Sequence, residues 1–261
     1  MSEVGLEQAI QAAGRVEALA RCSDLSLPPA SSFQRIPTES ASAELTNAHA
    51  HETRGLTPKR MSEGSASPAT EVDDIDLLRA QEYDLLAVLL GRAPTREVLE
   101  RLRELKGDPS PLGLAHFALA EAAATTDPDA LQQEFFDLFV GIGRGELLAY
   151  GSYYLTGFLH ERPLASVRES LGALGIERAE DVFEPEDHIA ILCEVMAGLT
   201  AGRFETEPGA DRRFFEGHLR PWAPRFFADL ETAKHAHFYR TVGRVGGLFM
   251  DIEAEAFAMD A

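Results

Sequence analysis

The chain has 261 residues, of which 45% are hydrophobic and 26% charged, and its formal net charge is −19. That length and composition support a substantial core, while the acidic balance opposes broad nucleic-acid binding and favours basic partners. The charge is uneven: residues 1–72 hold 6 Lys and Arg against 9 Asp and Glu, and the remainder 18 against 34. No apolar run reaches the roughly 18 residues of a membrane-spanning helix, so no membrane insertion is expected. Met1-Ser-Glu-Val-Gly5 lacks the basic and apolar regions of an export signal. Cys22 and Cys193 have no C-x-x-C partner, which argues against a zinc site or redox dithiol and suits a reduced, cytoplasmic setting.

In chain order, Leu6, Ile10 and Ala13 form a short apolar stripe, followed by Gly14, Val16–Arg21, a turn at Ser23-Asp24 and the stretch Leu27–Phe33. Two short helices, a tight turn and a third short helix make a helix-turn-helix plan over residues 1–56. The stretch Leu6–Gly14, Ala18–Arg21 and Arg35–Pro37 resembles Cro/YdaS-type DNA-binding domains. It departs from them at Phe33, where a Trp is usual, and at Pro28-Pro29 in the turn. A degenerate or partly disordered extension is the other reading of this segment. Residues 57–74 are rich in Ser, Pro, Gly and charge and read as a linker.

The body, residues 75–261, reads as helices throughout. Leu78, Leu85, Leu86 and Leu89 recur at helical spacing after Asp73-Asp74, and Gly91 and Pro94 end that helix. Further helices follow Pro94 and Pro111, and another carries Leu131, Phe135, Leu138 and Phe139. Others are expected near Tyr153–His160, Leu164–Leu174 and Glu186–Ala201, around Arg220-Pro-Trp222, and from about Lys234 to the end. No alternating strand pattern with a hairpin turn appears, so the body is expected to be all-α. The Phe135-Phe136-Leu138-Phe139 cluster reads as a helix buried nearly all round.

Two segments carry candidate binding residues. In Glu184-Pro-Glu-Asp-His188, Pro185 presets the start of a helix, and acidic groups in a first turn are stabilised by the helix dipole. Helix capping alone explains those residues. The alternative is a binding role, because carboxylates pair guanidinium groups bidentately. In Tyr150-Gly-Ser-Tyr-Tyr154, the tyrosines either line an apolar groove with polar rims or are half-buried core residues. Gly141-Ile-Gly-Arg-Gly145 follows a helix and has no Lys after it, so it reads as a helix end and loop, not a phosphate loop. The histidines lack the spacing of a zinc hydrolase helix, and there is no Gly-x-Ser-x-Gly. No metal, cofactor or catalytic residue is expected, and the chain is not read as an enzyme.

Taken in order, Glu134-Phe-Phe-Asp-Leu-Phe-Val-Gly141, Tyr150-Gly-Ser-Tyr-Tyr154 and Glu184-Pro-Glu-Asp-His188 resemble the TorD-like redox-enzyme maturation chaperones, the TorD, DmsD and NarJ group. Phe214-Phe215, His218-Leu219, Pro221-Trp222 and Phe238-Tyr239 extend the resemblance over residues 76–258. The sequence departs from the family pattern at Ala149 (usually Pro), at Gly151 (usually Glu) and at Glu186, which separates Pro185 from Asp187. The resemblance implies an all-α, compact bundle of about ten helices, carrying a small N-terminal extension. It implies a cytoplasmic chaperone, monomer or homodimer, that binds a molybdoenzyme catalytic subunit or its twin-arginine leader before export or assembly. It places the client-binding residues at Tyr150, Ser152, Tyr153, Tyr154, Glu184, Glu186, Asp187 and His188. Gly143–Gly157 looks most like members associated with formate dehydrogenases. The rival expectation is a DNA-binding regulator that uses residues 1–56 and a helical sensor body.

Overall fold

In the computed structural model, the described residues are 73–179 and 183–259, together with the backbone of Phe33–Arg35. Apart from Phe33–Arg35, the segment 1–56 of the expected helix-turn-helix and most of the linker lie outside them. Ten α-helices are seen among the described residues: α1 (Asp74–Gly91), α2 (Arg96–Leu102), α3 (Pro111–Thr125), α4 (Pro128–Phe135), α5 (Gly151–Thr156), α6 (Arg162–Ala173), α7 (Ile189–Thr200), α8 (Ala210–Phe214), α9 (Ala223–Thr232) and α10 (Phe238–Met259). The fold is an all-α bundle, as the periodicity predicts.

The helix starts follow from capping chemistry. Asp73, Thr95, Ser110 and Asp127 each accept an N–H of the first turn with a side-chain oxygen, which satisfies one of the orphan donors there. Pro111 and Pro128 occupy the first helical position of α3 and α4, where their missing N–H costs nothing.

At the centre, α1 packs along α7, and α10 packs against α9 and α3. Every residue of α7 is buried, so this helix forms the core of the bundle. The close approach of α9 to α10 requires glycine: a Cβ at Gly243 would stand 2.6 Å from the Glu231 backbone nitrogen. A buried polar link ties α1, α8 and α10 together. Arg79 holds Glu253 through Nε and Nη2, both at 2.8 Å, and also contacts Asp76 and Asp211. Tyr83 donates to the same Glu253 at 2.9 Å. No described helix is long and apolar enough to cross a membrane.

The structure departs from the sequence-based expectation in three places. Phe33–Arg35 (β1) is extended and pairs antiparallel with Ile176–Arg178 (β2), with Gln34 opposite Glu177. Neither three-residue strand has enough alternation to register as a pattern. Phe136 is 37% exposed and only Leu138 of its cluster is fully buried, while Phe135 and Phe139 pack partly against the core. The reason is a single π-helical turn at Phe136–Val140, which shifts the register of the apolar face. The last helix begins at Phe238, not near Lys234. Glu134 sets that start by accepting the N–H groups of His237, Phe238 and Tyr239 at 2.8, 3.2 and 2.8 Å.

Candidate functional site

The Glu184–His188 segment folds back as a turn, with the His188 N–H bonded to the Pro185 carbonyl at 3.0 Å. Tyr150 and His188 then face each other in an isolated antiparallel bridge. The Gly151 N–H donates to the Asp187 carbonyl and the Ile189 N–H to the Ala149 carbonyl, both at 2.9 Å. Tyr150 precedes α5 and His188 precedes α7, so this bridge fixes the starts of two helices at one corner.

The corner's acids, Tyr150 and His188 each have a partner, whereas the buried Ser152 hydroxyl has none among the described residues. Asp187 Oδ2 accepts the Ser152 N–H at 2.7 Å and so caps α5 from across the turn. His188 Nδ1 accepts the Ala190 N–H at 3.2 Å and caps α7. That bond requires an unprotonated Nδ1. Burial lowers the pKa of His188, against the opposing pull of the Glu184 and Asp187 charges, so the ring is held neutral. The Tyr150 and His188 rings meet edge to face at 5.1 Å, and the Tyr150 hydroxyl donates to Glu184. Burial, and then Glu184, push the Tyr150 phenol well above its usual pKa. Glu186 lies between Arg168, at 2.8 Å, and Arg178, at 3.6 Å. Arg178 also donates to the Glu184 carbonyl at 3.0 Å.

The fold therefore gathers Tyr150, Ser152, Glu184, Glu186, Asp187 and His188 at one corner. Asp187 is only 1% exposed and Glu186 only 7%. Both carboxylates are engaged inside the protein, and of the candidate acids only Glu184 is exposed. Tyr153 and Tyr154 fall on the other side of α5. The departure at Gly151 also has a physical reason, because a Cβ there would lie 3.0 Å from Trp222 Nε1. The glycine lets α5 rest against the indole, whose N–H donates to the His218 carbonyl at 2.6 Å.

Beside the corner, α5, α6, α7 and the Gly217–Trp222 turn enclose a cleft of about 550 Å³. Its apolar wall includes Leu155, Pro163, Val167, Leu192 and Trp222. Asp187 forms part of the wall, and Arg162 and Glu169 stand at its edge. Neither Arg162 nor Glu169 makes an ion pair or hydrogen bond with a described side chain. Leu155 in the lining and the following Phe158 and Leu159 are 45%, 69% and 39% exposed, apolar surface that water solvates poorly. His218 sits in the wall with Nε2 2.8 Å from Ser170 Oγ, and burial lowers its pKa. Sequence reasoning missed Leu155, Glu169, His218 and Trp222 as cleft residues. Only Trp222 and His218 carried a signal, through the Phe214–Trp222 motif.

Across α5, a second cleft of about 360 Å³ is lined by Arg144, Glu146, Tyr153, Tyr154, Arg225 and Asp229, among others. Arg144 stacks over the Tyr153 ring at 5.2 Å and donates to its hydroxyl at 2.8 Å. Arg225 lies over the Tyr154 ring at 5.7 Å.

Residues 105–228 match the family described as nitrate reductase delta subunit. The chain is 28% identical over 165 residues to the chaperone protein TorD of Vibrio cholerae, covering 60% of this chain and 71% of the relative. It is 25% identical over 203 residues to the chaperone protein TorD of Vibrio atlanticus, covering 69% and 94%. Together these matches make the chain similar to the TorD/NarJ-type chaperones. Its relatives are chaperones, which points to a non-catalytic protein. The matched segment contains the whole corner and both walls contributed by α5 and α6. No group of three or more His, Cys, Asp or Glu among the described residues is arranged to hold a metal ion.

Proposed function

We propose that this protein is a cytoplasmic chaperone that binds a molybdoenzyme subunit by its twin-arginine leader until the cofactor is inserted, with a formate dehydrogenase as candidate client. The observation that carries this reading is the cleft of about 550 Å³, which joins an apolar wall to an edge bearing Glu169 beside Arg162, in a chain similar to TorD chaperones. A twin-arginine leader offers two guanidinium groups followed by an apolar helix. The apolar helix fits the wall of Leu155, Val167, Leu192 and Trp222 and the exposed patch at Phe158 and Leu159. Its burial contributes about 25 cal/mol per Å² before ordering costs are subtracted. Glu169, exposed at the edge and unpaired among the described residues, receives one guanidinium bidentately, and the net charge of −19 raises the encounter rate.

In this reading the corner residues play two parts. Glu184 and Tyr150 form the outer lip that meets the leader. Ser152, Glu186, Asp187 and His188 hold the starts of α5 and α7 in position. Tyr153 and Tyr154 face away from the leader.

Calorimetric titration with a twin-arginine leader and with its twin-lysine counterpart tests the proposal. Saturable binding to the arginine leader, at least tenfold weaker to the lysine leader, is expected. Equal affinity for the two reduces the interaction to hydrophobic holding, and no binding of either contradicts the leader as the site's ligand.

A further inference from the structure

The second cleft is opposite in character to the first. Its two acidic residues are already engaged. Glu146 accepts the Lys234 N–H at 2.7 Å, the His235 N–H at 3.0 Å and a bond with His235 Nδ1 at 2.7 Å. Asp229 accepts the Tyr154 hydroxyl at 3.0 Å. Arg225 and Asp229 are four apart on α9, a spacing that normally forms an ion pair, yet the carboxylate is turned to the tyrosine. Neither Arg144 nor Arg225 is paired with a carboxylate among the described residues. In a chain of net charge −19, two such guanidinium groups lining one cleft are unlike their surroundings. Each lies over a tyrosine ring, which holds the planar group in place while leaving edge donors toward the cleft.

We propose that Arg144, Arg225, Tyr153 and Tyr154 form a second binding site, which takes a carboxylate-bearing segment of the client polypeptide. Naming the client rests on the chaperone reading above, whereas the anion preference rests on this cleft alone. A guanidinium fork matches a carboxylate with two parallel hydrogen bonds. Leu147 and Leu148 in the same lining accept the apolar stem of a side chain, which an inorganic ion lacks. The six residues of α5 separate the two clefts, a helix about 9 Å long. One polypeptide can therefore set basic residues on one side of α5 and acidic residues on the other. The site adds a charge selection that the leader cleft lacks, so a client is read at two points of opposite sign.

The test uses the full chain, the peptide acetyl-Gly-Glu-Phe-Glu-Gly-amide, its glutamine counterpart, inorganic phosphate, and the double variant Arg144→Gln/Arg225→Gln. Both arginines are exposed, so the variant is expected to fold. The wild type should bind the glutamate peptide at least tenfold more tightly than the glutamine peptide, with shifts at the Tyr153 and Tyr154 ring resonances. The double variant should lose that preference while binding the twin-arginine leader within twofold of wild type. Equal affinity for the two peptides, binding of neither, or an unchanged preference in the variant overturns the site. Displacement of the peptide by phosphate at equal concentration also overturns it, in favour of a small phosphorylated ligand. Preference for the glutamate peptide in a protein that binds no leader leaves this site standing and sinks the leader reading alone.

Discussion

The Glu184–His188 corner and the edge of the neighbouring cleft both carry carboxylates, but their charges do different work. At the corner, Asp187 and Glu186 are buried and bonded to a backbone N–H and to two arginines. At the cleft edge, Glu169 is exposed and has no partner among the described side chains. The buried motif acids hold the shape, while the exposed Glu169, outside any motif, is free to meet a ligand. Glu134 extends the first class, since one carboxylate there takes three N–H groups at the start of α10.

Substitutions separate the two classes, and the largest effect is expected at Glu134. Glu134→Ala leaves three N–H groups without their acceptor and should cost about 3 kcal/mol of stability, read as a lower urea midpoint. A loss under about 0.5 kcal/mol would remove Glu134 from the structural class. Asp187→Ala strands the buried Ser152 N–H and should cost about 2 kcal/mol. Asp187→Asn keeps an acceptor and should cost less than half as much, with leader affinity changed less than threefold. A stable Asp187→Asn protein that has lost the leader would instead move Asp187 to the binding class. Glu169→Gln should leave thermal stability unchanged while weakening the twin-arginine leader about tenfold, or about 1.4 kcal/mol. Equal affinity of that variant would place the arginine contact elsewhere.

The smallest effect is a pH dependence at the corner. Burial depresses the pKa of His188 below its usual 6.5. The unfolded chain then takes up a proton near pH 6.5 that the folded chain refuses, so stability falls as pH drops below about 6.5 and levels off below the folded pKa. His116 acts in the opposite sense. Its burial opposes charging, but the charge and hydrogen bond of Glu82, with Asp108, raise its pKa overall. The stabilisation from His116 is complete below pH 6.5 and is lost as pH rises through the folded value. In His188→Asn, which retains a capping side chain, the acid-side slope should shrink by an amount measurable in urea titrations between pH 5 and 7. An unchanged slope would show that folding leaves the pKa of His188 where it is in the unfolded chain.

Much of the fold was legible because capping and apolar periodicity are local. Asp73, Pro94 and Pro111 marked boundaries that the helices keep to within a few residues. The pairing of Phe33–Arg35 with Ile176–Arg178 was not legible, because its partners are far apart in sequence and each strand has only three residues. The π turn after Phe135 was equally hidden, since it changes the register of an apolar run without changing its composition. At the site, the motif segments come together at one corner of the fold, but the sequence does not separate the residues that hold the corner from those that face outward. Acidic residues at a helix start look the same in sequence whether they face a guanidinium of the client or a backbone N–H of the protein. Glu169 belongs to no motif, and only the packing of α6 against α5 brings it to the cleft. Tyr153 and Tyr154 adjoin Tyr150 in sequence, yet the helical turn sends them into a different cleft.

Trp222 is the single tryptophan of the chain, lines the cleft and is 2% exposed. Its indole N–H therefore gives one nuclear magnetic resonance signal that reports on leader binding. Titration of the full chain with a twin-arginine leader should shift that signal and saturate at the concentration found by calorimetry, with a tenfold weaker response in Glu169→Gln. A leader that binds by calorimetry without moving the Trp222 signal would contradict the cleft as its site.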